Sequence, residues 1–293
     1  MHLASNWCVR GAYRVVMVTR VTPSQDRVAE AMVLLQRYSL EMNEVASAAF
    51  GQAATAGIDA EILGVIGAGG DTSPSALVAR LAMPRSTLAR GLVRLRRHGL
   101  VERSVDAEDA RRAVLRPTAS GEALLEQFRS ALADFLQESA PVVKEVKLLL
   151  DRDPEGDRGA ESPRSLDEVL DRMTAGGAAY GHDVRAAAAE HGVTETPDRF
   201  CVVFLAVRES RPSLIAEHLR LTPAGTTSLL DRLEALGLVE RRTGAWPADR
   251  RAVLVRLTPA GRRAADDIVA VFRRHADELL DTLGATLRFA KAA

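Results

Sequence analysis

An internal repeat with a long period constrains this chain more than any other feature of its sequence. The pentapeptide at residues 99–103, Gly-Leu-Val-Glu-Arg, recurs at residues 237–241, an offset of 138 positions. Over residues 77–103 that offset gives nine identities in 27 positions, and the matches resume downstream after a two-residue insertion. Solenoid repeats have periods of about 20–50 residues. A period of 138 residues therefore predicts a duplicated domain.

The repeat divides the 293 residues into two domains of ordinary size, because a domain has roughly 100–200 residues. The segment between the copies is charged, contains proline and glycine and has no apolar face, which is typical of a linker. A short apolar run among arginines opens the chain; it is too short for a membrane span or a secretory signal, and indicates either a flexible arm or an over-extended start. The predicted organisation is an arm at 1–22, a first domain at 23–150, a linker at 151–164 and a second domain at 165–293.

Each copy has the same predicted order of elements. A long amphipathic helix comes first and a short apolar helix second. Two helices joined by a tight turn follow, at 73–81 and 84–98 in the first copy and at 213–219 and 222–236 in the second. Two short strands around a polar turn and a final amphipathic helix complete the copy. The predicted fold is mainly α with small β wings, with a winged helix-turn-helix in a helical frame occurring twice.

Two long motifs in the second copy carry a family resemblance. They are Leu-Thr-Pro-Ala-Gly-Thr-Thr-Ser-Leu-Leu-Asp-Arg-Leu-Glu-Ala-Leu-Gly-Leu-Val-Glu-Arg-Arg at 221–242 and Asp-Arg-Arg-Ala-Val-Leu-Val-Arg-Leu-Thr-Pro-Ala-Gly at 249–261. With these motifs, both copies resemble the MarR family of bacterial transcription regulators, over most of 24–150 and 165–285.

Ordinary members of that family are symmetric homodimers. The resemblance therefore implies two protomers fused head to tail, a monomeric pseudo-dimer with a pseudo-twofold axis within one chain. It also implies a sequence-specific regulator that binds a double-stranded DNA operator, and a repressor whose binding a small aromatic or phenolic effector relieves. The two cysteines have no disulfide or metal spacing, so we expect a cytoplasmic protein.

The helix pair and hairpin of each copy are called here the first head (residues 75–121) and the second head (residues 213–261). Arginine contacts phosphate or guanine, and hydroxyl groups suit phosphates and base edges. The candidate DNA-binding residues on the second helix of each pair are Arg85, Ser86, Thr87, Arg90 and Arg94 in the first head and Thr226, Thr227, Ser228 and Arg232 in the second.

Each wing carries an Asp-x-Arg motif. By resemblance to the family, its arginine lies at or in the DNA minor groove and its aspartate orients that arginine. A narrow A·T-rich minor groove is strongly negative, which favours an arginine there. The alternative is a salt bridge that braces the hairpin, and both can hold together. The wing candidates are Asp109, Arg111 and Arg112 in the first head and Asp249, Arg250 and Arg251 in the second.

Charge is distributed unequally between the heads. The whole chain is neutral, with 39 basic and 39 acidic residues, but the first head holds ten arginines against four acidic residues and the second seven against five. Val93 and Arg96 stand where the second head has Asp231 and Glu234. The alternative function is therefore a ligand-sensing or protein-interaction module in which one head, or neither, binds DNA.

No catalytic motif is found in the sequence. The six histidines form no HxxxH or HExxH pattern, and no phosphate-binding loop or nucleophile elbow occurs, so we predict no enzyme, no metal and no cofactor. Cys201 lies in an apolar helix, either as a small buried hydrophobe or as a redox-sensing thiol. An effector pocket in each half would be lined by aromatic residues, for which the candidates are Tyr38, Phe50, Tyr180, Phe200 and Phe204.

Overall fold

The computed structural model describes residues 26–50, 58–69, 72–81, 83–105, 113–150, 163, 166–243 and 253–292. The predicted arm at 1–22, nearly all of the predicted linker and the tips of both wings lie outside these ranges.

The first half of the chain follows the predicted order, with one addition at its end. Its elements are helices α1 (Asp26–Phe50), α2 (Ile58–Gly67), α3 (Pro74–Leu81) and α4 (Arg85–Arg97), strands β1 (Val101–Val105) and β2 (Ala113–Pro117), and helices α5 (Ala119–Glu138) and α6 (Ala140–Leu149).

The second half repeats that order up to its last helix. Its elements are α7 (Leu166–Ala189), α8 (Thr196–Val207), α9 (Pro212–Leu219), α10 (Pro223–Ala235), β3 (Val239–Thr243), β4 (Val253–Leu257) and α11 (Pro259–Ala292). Both hairpins are antiparallel, and their registers are equivalent, since Val101 pairs with Pro117 and Val239 with Leu257. The prediction of a mainly helical chain with small antiparallel sheets is confirmed.

The sequence predicts one final helix in each copy, and this is wrong for the first half. Helix α5 ends at Glu138, and after Ser139 the separate helix α6 begins, with Pro141 in its first turn. Proline has no N–H and its ring clashes with the preceding turn, so a helix does not continue through it, whereas proline is well tolerated at a helix start. Helix α11 has no proline after its first residue and continues for 34 residues.

The same pair of threonine hydrogen bonds joins the wing to the following helix in each half. The Thr118 hydroxyl accepts from the Gly121 N–H at the start of α5 and donates to the Gly99 carbonyl, which ends α4. Thr258 makes the same two bonds with Gly261 and Gly237. One threonine therefore caps a helix and fixes its position against the end of the preceding one.

Apolar residues of each half complete the core of the other. Ala29, Ala31 and Met32 of α1 lie in a buried cluster with residues of α8 to α11, and Val146 of α6 joins them. Val169 of α7, with Leu283 and Leu287 of α11, lies in the other cluster, with residues of α1 to α6. The two halves therefore share their cores reciprocally. Within the described residues no helix is both long and apolar enough to cross a membrane.

Candidate nucleic-acid interface

Helix α4 presents a basic surface. It contains five arginines, at positions 85, 90, 94, 96 and 97, and no acidic residue. Its inner side is held by the buried Leu88 and Leu95, and the helix ends at Gly99, whose φ of 66° lies in the left-handed region that glycine adopts without strain.

Gly91 explains how closely α4 approaches α2. A β-carbon at this buried position would overlap the Ile62 side chain and lie 3.0 Å from an Asp59 carboxylate oxygen. The second head has Leu229 at the equivalent place, fully buried, so the two heads pack this contact differently.

Four exposed residues of α4 form one outward stripe. An α-helix turns 100° per residue, so Ser86, Arg90, Val93 and Arg97 lie within about 60° of one another around the helix. All four are exposed, and Val93 reaches 66% exposure. This stripe, called here the α4 stripe, is the surface on which a partner of α4 would lie.

Arg94 and Arg232 contact buried carboxylates, which the sequence did not predict. The Arg94 guanidinium donates to both oxygens of Asp59 at 2.8 and 2.7 Å, and the Asp59 side chain is fully buried. Arg232 binds Asp198 in the same way at 3.0 and 2.6 Å. These hydrogen bonds raise the pKa of both arginines. The pairs hold α4 on α2 and α10 on α8; the signal that could have revealed them is an aspartate in the first turn of each of two mainly apolar helices.

The structure corrects the role of Thr226. Its side chain is buried, with 2% exposure, and its hydroxyl donates to the Thr222 carbonyl at 3.0 Å, so it faces the interior and not a partner. Thr227 is exposed but donates to the Pro223 carbonyl, and Ser228 is exposed. In the first head Arg85 and Thr87 lie in the opening turn of α4, Arg85 exposed and Thr87 partly buried.

The base of the second wing is neutralised by α10. Arg241 on β3 donates to the carboxylates of Asp231, at 2.7 Å, and Glu234, at 2.5 Å. In the first head the same places hold Arg103, Val93 and Arg96. In the second head the charge of Arg241 is therefore neutralised by two carboxylates of α10. In the first head the equivalent positions on α4 offer Arg103 no carboxylate.

The six wing candidates lie outside the described residues. Strands β1 and β2, and β3 and β4, show that each wing is an antiparallel hairpin, and the tips carry Asp109, Arg111, Arg112, Asp249, Arg250 and Arg251.

The five aromatic candidates lie in or against packed cores. Tyr38 contacts the ring of Phe135 and Phe50 that of Phe128, all among first-half residues. Tyr180 contacts Phe272, with ring centroids 6.0 Å apart. Phe204 is buried with one face on His218, and Phe200 is partly buried against the same cluster. The structure therefore places two of the candidates in one core cluster and three at the other.

Cys201 is fully buried, and burial raises the pKa of its thiol. A protonated, inaccessible thiol is a poor nucleophile, so the structure favours the interpretation of Cys201 as a core residue.

Helices α2, α3 and α4, followed by the antiparallel hairpin of β1 and β2, have the element order of a winged helix-turn-helix. Residues 56–112, which run from just before α2 to the residue before β2, match the model of the MarR family. The match supports a DNA-binding transcriptional regulator.

Two solved structures are similar to parts of the chain. One is RV1404 from Mycobacterium tuberculosis, 20% identical, with a TM-score of 0.34, covering 41% of this chain and 82% of that one. The other is the YusO protein from Bacillus subtilis, 23% identical, with a TM-score of 0.34, covering 44% of this chain and 100% of that one. No curated protein matches the sequence.

Proposed function

We propose that this protein is a sequence-specific repressor of transcription that binds double-stranded DNA through two heads of one chain, as a pseudo-dimer. The observation that carries the proposal is α4 itself: within the segment that matches the MarR family model, a helix with five arginines and no acidic residue exposes Arg90 and Arg97 on the α4 stripe. Arginine side chains bind phosphate and guanine, and the phosphate backbone provides much of the affinity of such proteins for DNA.

The repeated element order and the shared cores support the pseudo-dimer. The heads of a dimeric helix-turn-helix protein enter major grooves about one DNA turn, roughly 34–36 Å, apart. A chain in which α1 and α7 each pack into the other half's core can hold two heads at a fixed spacing without a second chain. We regard the two halves as products of a duplication.

In this proposal the α4 residues Arg85, Ser86 and Arg90 contact the major groove, and Arg94 contributes through its attachment to Asp59. Thr227 and Ser228 act in the second head. The roles of the wing residues are proposed from the sequence alone. Arg111 and Arg251 reach the minor groove, and the aspartates of the two Asp-x-Arg motifs, Asp109 and Asp249, orient them. The family resemblance adds a cytoplasmic setting and a small aromatic or phenolic effector that relieves repression.

The test is a binding measurement on duplexes selected from a random library. Arg90→Ala should weaken specific binding about 10- to 100-fold and reduce its salt dependence, because it removes one base or phosphate contact. Arg273→Ala is the matched control: it removes the same charge from an exposed position on α11 that belongs to neither head. Equal losses in the two variants, or no specific binding by the unaltered protein, would contradict the proposal.

The pairing of Arg241, at the base of the second wing, with two carboxylates of α10 favours a second candidate function, a module in which only the first head binds DNA. Asp231 and Glu234 on α10 pair with Arg241 and would repel phosphates. Hydroxyl-radical footprinting separates the candidates, since two heads protect two regions about 10 base pairs apart and one head protects one.

A further inference from the structure

Val93 is the most exposed large hydrophobic side chain among the described residues. It is 66% exposed, whereas the next, Leu148, is 53% exposed and lies on α6, far along the chain from either head. At this exposure its methyl groups are accessible to any partner that lies on the α4 stripe.

The neighbours of Val93 on the α4 stripe indicate what kind of partner that is. Arg90 and Arg97 lie one turn before and one turn after it on the same side of the helix. Both are exposed, and no acidic residue of α4 accompanies them. A surface that places methyl groups between two arginines suits a polyanion that itself carries exposed methyl groups.

The major groove of DNA has this chemistry. Phosphates line its edges, guanine presents acceptors to arginine, and thymine alone among the four bases presents a 5-methyl group, which apolar side chains contact. Resting on the proposed function, we infer that Val93 reads thymine: its γ-methyl groups pack against the 5-methyl groups of one or two thymines in the half-site bound by the first head.

The second head lacks this contact. The equivalent of Val93 is Asp231, which is held by Arg241, and the equivalents of the other stripe residues are Ala224, Ser228 and Ala235. No alkyl group of comparable size lies on that stripe. The two half-sites therefore differ in chemistry, and only one of them depends on thymine methyl groups.

Replacing thymine by deoxyuracil tests this directly, because uracil pairs identically and lacks only the methyl group. Each thymine of a selected duplex is replaced singly, and the dissociation constant is measured by fluorescence anisotropy. For the unaltered protein, the replacement should weaken binding about fourfold at one or two positions in one half-site, the amount expected for losing one buried methyl contact.

The variant Val93→Ala should bind the thymine duplex about as weakly as the unaltered protein binds the uracil duplex, and its uracil penalty should vanish. Leu148→Ala is the control for removing an exposed apolar side chain elsewhere, and should keep the full penalty. Circular dichroism spectra check that both variants fold, as their exposure predicts.

Each outcome is decisive for one of the two claims. A uracil penalty that persists in Val93→Ala, or that is absent in the unaltered protein while specific binding is normal, overturns the role of Val93 and leaves the proposed function standing. Absence of specific DNA binding overturns the proposed function and this inference with it. A uracil penalty in both half-sites, each removed only by changes in its own head, would overturn the claimed difference between the heads.

Discussion

A buried aspartate determines what the arginine beside it can do. Asp59 has no exposed side-chain surface, whereas Arg94 is 35% exposed, so the two partners differ in their access to water. A buried ion pair brings little net stability, but removing one partner strands the other. The loss in the free energy of unfolding then depends on whether the buried carboxylate or the exposed guanidinium remains without the other.

This asymmetry gives an ordered prediction for the free energy of unfolding. Arg94→Ala leaves the buried Asp59 carboxylate without its guanidinium and should cost about 3 kcal/mol. Asp59→Asn leaves an arginine that water can reach and should cost about 1 kcal/mol. The double variant should be more stable than Arg94→Ala alone. Urea denaturation measures all three, and an Arg94→Ala protein of unaltered stability would mean that Arg94 is available to DNA as the sequence predicted.

A partly buried histidine is expected to make the second half sensitive to acid. His218 stacks on Phe204 with ring centroids 4.3 Å apart. Burial, together with the nearby positive charges of Arg37, Arg208 and Arg220, lowers the pKa of His218 from 6.5 to about 4. The unfolded chain therefore binds a proton in a pH range where the folded protein does not.

Stability should accordingly fall as the pH drops from about 6.5 to about 4, by up to about 3 kcal/mol from this residue. His218→Phe keeps the stacking and removes the titrating group, so its stability should decline less than that of the unaltered protein over the same range. His98→Gln, at an exposed position, is the control and should follow the unaltered protein. Thermal melting at a series of pH values gives the comparison; parallel curves for all three proteins would remove His218 as the cause.

At the scale of elements, the joint between wing and following helix depends on two glycines. A β-carbon on Gly121 would overlap the Leu100 carbonyl oxygen, and one on Gly261 would overlap that of Leu238. These neighbours are backbone atoms, which cannot move aside without displacing the strand. The close approach lets the capping threonines bind both helices.

We therefore expect Gly121→Ala and Gly261→Ala to destabilise the protein by at least about 2 kcal/mol each, as overpacking against a fixed backbone does. Gly177→Ala is a matched control: nothing lies within 4 Å of its added β-carbon, and it sits within α7, where alanine is favoured over glycine by about 1 kcal/mol. Thermal denaturation should therefore show a lower melting temperature for Gly121→Ala and Gly261→Ala and a higher one for Gly177→Ala. Tolerance of alanine at residue 121 would mean that this joint can open.

The sequence predicted the helices and strands well because hydrophobic periodicity, helix-ending glycines and turn residues are local signals. The helix pairs ending at Gly99 and Gly237 and both hairpins lie where the repeat and the turn signals place them. It failed where the answer depends on contacts distant along the chain. The ion pair of Arg94 joins residues 35 positions apart, and the burial of Thr226 reflects the packing of α10 against neighbouring helices. Neither is visible in a helix considered alone.

At the scale of the whole molecule, each half is bound to the other by helices that cross between them. Arg220, in the turn between α9 and α10, lies 3.8 Å from Glu41 and 3.5 Å from Glu44 of α1. Reciprocally, Arg80 of α3 lies 3.5 Å from Asp171 of α7. Exposed ion pairs contribute little stability, so the shared apolar cores are the main attachment. The ion pairs instead connect the long helix of one half to the helix pair of the other.

This attachment predicts that the covalent connection between the halves is dispensable once the protein has folded. A protease site inserted between Leu150 and Pro163 allows the purified protein to be cut there. We expect the cut protein to elute as one species with the mass of the intact chain, 31.6 kDa, and to unfold in a single transition, because α1 and α7 each complete the core of the opposite half. The uncut insertion variant controls for the inserted site itself. Separation of the two fragments on cutting, or two independent unfolding transitions, would show that each half is a self-sufficient domain and that the spacing of the heads depends on the segment that joins them.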